Sequence, residues 1–294
     1  MFNSHSPTYW YTRWHDVLVT ALAPVIWGST YIVTTEILPP DRPFTAALIR
    51  VLPAGAILLL LTRRIPAKGE WWRLLVLGGL NIGVFQALLF VAAYRLPGGL
   101  AAVLGALQPL FVMTLAWMAD GRIPSRAMLW SAITGVIGMA ILLLSPQTVF
   151  EPVGIFSALL GAASMAAGVW LTRRWRLNLP VLALTGWQLF IGGLMLVPIA
   201  WLADAPLPAL SSLQVLAYAY LSVAGALLAY VLWFRGIARL PSVAVASLGL
   251  LSPLTAVVLG WVLLSQSMTG LAFTGLAIVL GSVFAVQWAA MRNT

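Results

Sequence analysis

Apolar positions in this chain fall in long unbroken runs of about twenty residues, separated by short polar stretches. Ten such runs can be marked, at roughly 17 to 36, 44 to 61, 72 to 94, 98 to 119, 126 to 145, 152 to 171, 180 to 202, 212 to 234, 242 to 264 and 268 to 290. About twenty apolar residues at helical rise cross the hydrocarbon core of a bilayer. Their length and the absence of strict alternation favour helices over buried strands and exclude a barrel. The pattern predicts an all-α polytopic membrane protein with ten transmembrane helices.

One stretch occurs twice. RLPGGLAAVLGALQPL begins at Arg95 and RLPSVAVASLGLLSPL at Arg239, an offset of 144 residues, and the 23 positions from Arg95 to Trp117 hold 11 identities at that offset. Apolar composition alone does not align Pro97 with Pro241, Gly105 with Gly249, Pro109 with Pro253 and Trp117 with Trp261. This is an internal repeat. Pro43 with Pro180, Gly55 with Gly192 and Phe90 with Phe234 extend it over the rest of each half. The matched runs are the fourth and the ninth, so the copies cross the membrane in opposite directions. The expectation is a 5+5 inverted-topology repeat: an N-terminal segment at 1–16, one five-helix unit at 17–145, and a second at 146–294 ending in a short tail. Many secondary transporters have this architecture and place substrate near the midplane between the halves.

Composition changes the picture little: 62% hydrophobic and 8% charged residues leave too few charges to coat a soluble globule. The net charge of +9 would suggest a nucleic-acid partner until each charge is placed on its loop. Thirteen basic residues (Arg13, Arg63, Arg64, Lys68, Arg73, Arg122, Arg126, Arg173, Arg174, Arg176, Arg235, Arg239 and Arg292) fall on one side, against Arg42 and Arg95 on the other. That asymmetry is the positive-inside signal, which puts both termini in the cytoplasm. It makes the basicity a matter of topology rather than of nucleic-acid binding. The first sixteen residues lack the basic start and cleavage site of a signal peptide, so the first span is expected to remain. There is no cysteine, which excludes disulfides and thiol chemistry.

Ten spans in two inverted halves, Trp27-Gly28-Ser29 in the first span, short loops, and prolines in the fourth and ninth spans together resemble the drug/metabolite transporter superfamily, EamA type. In overall similarity the chain is closest to the YddG aromatic amino acid exporters. The resemblance implies a secondary transporter of the bacterial inner membrane that exports small metabolites, amino acids and aromatic ones among them, by alternating access between the repeats. A channel, or an exporter of other amphipathic molecules and drugs, is the alternative; a scaffold that transports nothing is more remote. The partners expected are a small-molecule substrate and the lipid bilayer. Nucleic acid is excluded, and a monomer suffices.

Side chains that are costly at membrane depth are candidates for substrate contact. Arg50 is the one charged residue well inside a span; it can receive a carboxylate bidentately, or else snorkel or cap backbone carbonyls. Asn81, Gln86, Gln108, Gln188, Ser29, Ser164 and Ser252 lie near the midplane. They can orient a zwitterion or tie helices together. Gln86 and Gln108 lie deepest beside the repeat interface. Most tryptophans sit at span ends as a belt, but Trp27 and Trp187 lie deeper, with Tyr230 and Trp233 towards the inner part of the eighth run. These four either pack or stack on a substrate ring. Pro109 and Pro253 each remove one backbone donor, freeing the carbonyls of Gly105 and Gly249 and permitting a bend in each half.

Enzymatic chemistry finds no constellation here. His5 and His15 precede the first run, and the seven acids (Asp16, Glu36, Asp41, Glu70, Asp120, Glu151 and Asp204) all avoid the span centres. No metal site, cofactor or nucleotide motif is expected. The lack of acids at depth favours uniport or exchange over obligatory proton coupling.

Overall fold

The computed structural model describes residues 7–96, 98–144, 151–265 and 270–292. All regular structure among them is helical. Six helices are continuous: α1 (Pro7–Glu36), α2 (Pro43–Thr62), α5 (Arg126–Leu143), α6 (Pro152–Trp175), α7 (Val181–Ala203) and α10 (Gly270–Arg292). The other four are interrupted. α3 follows a short 3₁₀ turn (Lys68–Glu70) and runs as Trp71–Gly78 and Val84–Arg95 around a π turn at Gly79–Gly83. α8 runs as Ser212–Ser222 and Ala229–Arg239 around a π turn at Val223–Leu228. α4 divides into α4a (Gly98–Gly105) and α4b (Gln108–Asp120), and α9 into α9a (Ser242–Leu248) and α9b (Leu251–Leu264). The ten segments are each long and apolar enough to cross a membrane.

Three details depart from the sequence reading. α1 begins at Pro7 instead of 17, so most of the expected N-terminal segment is helix. Its Asp16 is 6% exposed and pairs with Arg235 at 2.7 Å and Arg239 at 3.1 Å. That pairing explains why α8 stays ordered to Arg239, beyond the apolar run that ended near 234. The divided spans are interrupted by one tight turn each, at 106–107 and 249–250, through which the backbone stays in the right-handed helical region. Leu107 N–H bonds to the Leu104 carbonyl at 3.2 Å and Leu250 N–H to that of Ser247 at 3.2 Å, tight turns that end one helix and start the next. Pro109 thus lies in the first turn of α4b, where a missing N–H costs nothing. The Gly249 carbonyl, expected to be free, accepts the Ser252 N–H at 3.1 Å. Pro97 and the junction at 145–150 lie outside the described residues.

Helix starts follow their caps: the Ser125 hydroxyl accepts from Met128 N–H at the head of α5, and the Glu151 carboxylate from Gly154 N–H at the head of α6. These bonds satisfy donors that have no partner within the helix. The most extensive interfaces join α2 to α7 and α5 to α10; α3 packs on α6, and α1 on α8 and α9b. The approach is close where glycine allows it. A Cβ on Gly55 would stand 2.5 Å from the Phe190 backbone nitrogen, and one on Gly28 would stand 2.6 Å from the Ser252 carbonyl oxygen.

Loops segregate to two ends. At the first, Asn178 N–H meets the Glu70 carboxylate at 3.0 Å, Arg174 pairs with Asp120, and Asp16 pairs with Arg235 and Arg239. At the second, Arg42 donates to the Pro206 carbonyl at 2.9 Å and Arg95 pairs with Glu151 at 3.5 Å. The first is hereafter the basic end.

Because the α2–α7 approach leaves no room for a branched side chain, Gly55→Val should destabilise by about 1–3 kcal/mol. A fall of several degrees in the Tm of the detergent-purified protein would register it. The control is Gly281→Ala, at a position with nothing within 4 Å of the added Cβ; it should leave Tm unchanged or slightly raised.

Candidate functional site

The two π turns position the site. A π turn inserts one residue and misaligns the helical ladder, leaving a carbonyl for partners outside the helix. In α8 that carbonyl belongs to Gly225. It accepts the indole N–H of Trp27 at 2.9 Å and the Arg50 Nη2 at 3.0 Å, so α1 and α2 converge on one backbone atom of α8. In α3 the corresponding carbonyl is that of Leu80, which accepts the Ser164 hydroxyl at 2.9 Å.

Around Gly225 the aromatic side chains form a box. The Trp27 ring lies 4.9 Å from that of Tyr230 and 5.2 Å from that of Trp233, at interplanar angles of 56° and 57°. Both partners are about 1% exposed. The Tyr230 hydroxyl accepts from Gln86 Nε2 at 3.1 Å, across a separation of 144 residues, the same offset as the sequence repeat. Gln108, beside the α4 break, and Trp233 both border Gly249 in the α9 break, with Gln108 Oε1 3.6 Å and Trp233 Cη2 3.9 Å from where its Cβ would lie. Three polar atoms in this region are buried without a hydrogen-bond partner: Gln86 Oε1, Gln108 Nε2 and Trp233 Nε1. Unsatisfied buried polar atoms are rare enough to need a reason. Two indoles, a phenol, two amides and a guanidinium arranged this way suit a small ligand with a ring and a polar head.

Other candidates lie elsewhere. Asn81 donates to Gln188 Oε1 at 2.7 Å and to Thr172 Oγ1 at 3.2 Å, tying α3 to α7 and α6. Asn81 and Gln188 are fully buried, and this set and Ser164 tie helices together, while Asn81 Oδ1 and Gln188 Nε2 have no hydrogen-bond partner. Trp187 is not deep: its indole N–H reaches the Arg64 carbonyl at 2.9 Å and its ring packs edge-on to Trp71 at 4.8 Å, both at the basic end. Ser29 shares a 2.6 Å bond with the Tyr220 hydroxyl on an exposed face. Ser252 engages through its backbone, under Gly28. Of the readings open to Arg50, the structure shows the capping one, its Nη2 donating to the Gly225 carbonyl.

Access to the box is asymmetric. Towards the basic end, α4b and α9a pack against each other, and Val112, Met113, Val243 and Ala246 join Ala132, Ala166 and Val286 in one buried cluster. Gln287, which the sequence reading passed over, fixes α9a by donating to the Ala244 carbonyl at 2.8 Å and the Ser247 hydroxyl at 2.9 Å. The signal was available, as an amide inside an apolar run. At the opposite end α4a and α9b form no packed interface among the described residues. Gly105 is exposed there, with nothing within 4 Å of its Cβ position.

Comparison with known proteins shows the family. The model of the EamA-like transporter family matches twice, at residues 15–144 and 152–288. Protein PecM of Dickeya dadantii is 44% identical over 268 residues, covering 90% of each chain. A chloroplastic WAT1-related protein of Arabidopsis thaliana is 29% identical, over 89% of this chain and 67% of that one. The inner membrane transporter YedA of Escherichia coli (strain K12) is 29% identical over 89% and 87%. A solved crystal structure shares the fold, with a TM-score of 0.79 at 19% identity over 95% of this chain and 98% of the other. With both halves matched, and a relative this similar along nearly its full length, the chain belongs to the EamA-like transporter family.

Proposed function

We propose that the protein is a secondary exporter of small amphipathic metabolites, chiefly amino acids and among them aromatic ones, working by alternating access. The observation that carries this reading is the aromatic cluster of Trp27, Tyr230 and Trp233, with unpartnered buried polar atoms around it and an apolar seal towards the basic end. The indoles stack on a substrate ring. Trp233 Nε1, Gln108 Nε2 and the Arg50 guanidinium donate to a carboxylate, and Gln86 Oε1 accepts from an ammonium. A ligand that carries both charges can bond to these buried donors and to the amide acceptor at once.

In this proposal the chain is a 5+5 inverted repeat. Supporting it are the duplicated π turns at Gly79–Gly83 and Val223–Leu228, the duplicated breaks in α4 and α9, the Gln86–Tyr230 pair at the repeat offset, and the separate family match to each half. The breaks let α4 and α9 pivot, exchanging the seal between α4b and α9a for one between α4a and α9b. A bacterial inner-membrane location, with both termini cytoplasmic and export starting from the basic end, rests on the charge asymmetry. The exporter works as a monomer, without a cofactor.

Proteoliposomes loaded with labelled phenylalanine, tryptophan, leucine or phenethylamine test the reading. Efflux above that of protein-free liposomes is expected for the aromatic amino acids. Arg50→Gln should slow amino-acid efflux at least tenfold, about 1.4 kcal/mol, while sparing phenethylamine, which has no carboxylate. Equal loss for both compounds with a lowered Tm would return Arg50 to a packing role, and background efflux of every solute would overturn the proposal. Tags at both termini should react only in permeabilised cells, and a tag beside Asp204 in intact cells; labelling of a terminus in intact cells would reverse the orientation.

A further inference from the structure

Below the seal, at the basic end, a cavity of about 730 Å³ opens between the ends of α4b, α6, α9a and α10 and the start of α5. Arg122, Arg173, Arg174 and Arg176 line it, with Asp120 the one acid in its wall. Asp120 is engaged: Arg174 pairs with it while lying 5.0 Å over the Trp170 ring, and the Trp170 indole N–H donates to its other oxygen at 2.8 Å. Arg173 holds the Ile237 and Leu240 carbonyls at the end of α8, which fixes its guanidinium in the wall, where the charges of Arg176 and Arg122 bear on it. Neither Arg122 nor Arg176 has an acidic partner among the described residues. Three converging guanidiniums whose repulsion no acid offsets favour an anion between them.

A second depression of about 500 Å³ meets the cavity at Ser125. Its wall is mostly apolar and lies between α5 and α10: Ala127, Phe284, Ala285, Trp288 and Ala289, with Ser131. The two together have a polar, cationic part at the level of the helix ends and an apolar part running along the helices. That is the shape of a phospholipid, with its headgroup at the interface and a chain against the bundle. We propose that this composite site binds an anionic phospholipid, the phosphate among Arg122, Arg173 and Arg176 and an acyl chain along Phe284 and Trp288. Basic pockets between membrane helices have the chemistry for such headgroups. Because Val112, Met113 and Val243 line the cavity and also belong to the seal, the bound lipid stabilises the form in which α4b and α9a are packed together.

The test uses the full-length protein in a neutral detergent, titrated with phosphatidylglycerol or phosphatidylcholine while Tm is followed. Phosphatidylglycerol should raise Tm by several degrees and phosphatidylcholine should not. The double variant Arg122→Gln/Arg176→Gln changes two exposed residues, so its Tm without lipid should be that of the parent. Its half-maximal phosphatidylglycerol concentration should rise about thirtyfold, or about 2 kcal/mol at about 1 kcal/mol per basic residue. Ala127→Trp, which fills the groove from an exposed position, should weaken the response to the lipid as well. Equal shifts with the two lipids, or a double variant that responds like the parent, would overturn the proposal. A full shift with inorganic phosphate alone would also overturn it, by showing a soluble-anion site that needs no acyl chain.

Discussion

In hydrocarbon every backbone N–H and C=O must find a partner inside the protein, because no water is there to supply one. A continuous α-helix meets most of that demand by itself, and six of the ten spans are continuous, with Pro24, Pro53 and Pro198 each leaving one carbonyl of α1, α2 and α7 without its ladder donor. The other four are interrupted, and the candidate site lies beside the interruptions. The carbonyl of Gly225, displaced by the π turn in α8, is satisfied by Trp27 from α1 and Arg50 from α2. One unmet acceptor thereby fixes an indole and a guanidinium at a depth where both are costly to hold. The carbonyl of Leu80 in α3 is satisfied by Ser164 of α6, beside the amide tie between Asn81 and Gln188. Irregular backbone at membrane depth is tolerated only where it is buried in protein or lines a cavity. The same constraint that makes a π turn expensive therefore locates the site.

The breaks in α4 and α9 extend the argument from binding to movement. Each divides a span into two rigid pieces joined by a tight turn, so one piece can pack while the other stands apart. Here α4b and α9a are packed and α4a and α9b are not. The seal of Val112, Met113, Val243 and Ala246 is a cluster of apolar side chains, whereas the Gln287 bonds to Ala244 and Ser247 keep α9a attached to α10. An apolar seal, and hinges where the helical ladder narrows to tight i to i−3 bonds, suit a carrier that must open at either end.

The span count and the break positions were legible in the sequence because bilayer thickness fixes run length and proline fixes where a ladder fails. Trp27, Gln86, Gln108, Tyr230 and Trp233 were singled out for a similar reason, since polar and amphipathic side chains inside apolar runs are few, and the structure brings them near one another. The π turns were not legible: apart from Asn81, Gly79–Gly83 and Val223–Leu228 are made of the same apolar residues and glycines as their flanks, and nothing local announces an inserted residue. Depth was the other failure. Counting from the end of an apolar run placed Trp187 inside, but Arg64 and Trp71, from the connection between α2 and α3, meet it at the basic end. Asn81 and Gln188 each looked equally suited to a substrate or to a neighbouring helix; only their mutual distance assigns them to each other.

The central claim is that the box opens to one end at a time. The absence of native cysteine permits a direct measurement: labelling rates of Ala246→Cys, within the seal, and Gly105→Cys, at the opposite break, with a water-soluble thiol reagent in the presence and absence of a transported amino acid. A carrier gives slow labelling at 246 and fast labelling at 105 when empty, with the two rates moving in opposite directions as substrate drives turnover. Fast labelling at both positions together, or rates that substrate leaves unchanged, would contradict alternating access through this site.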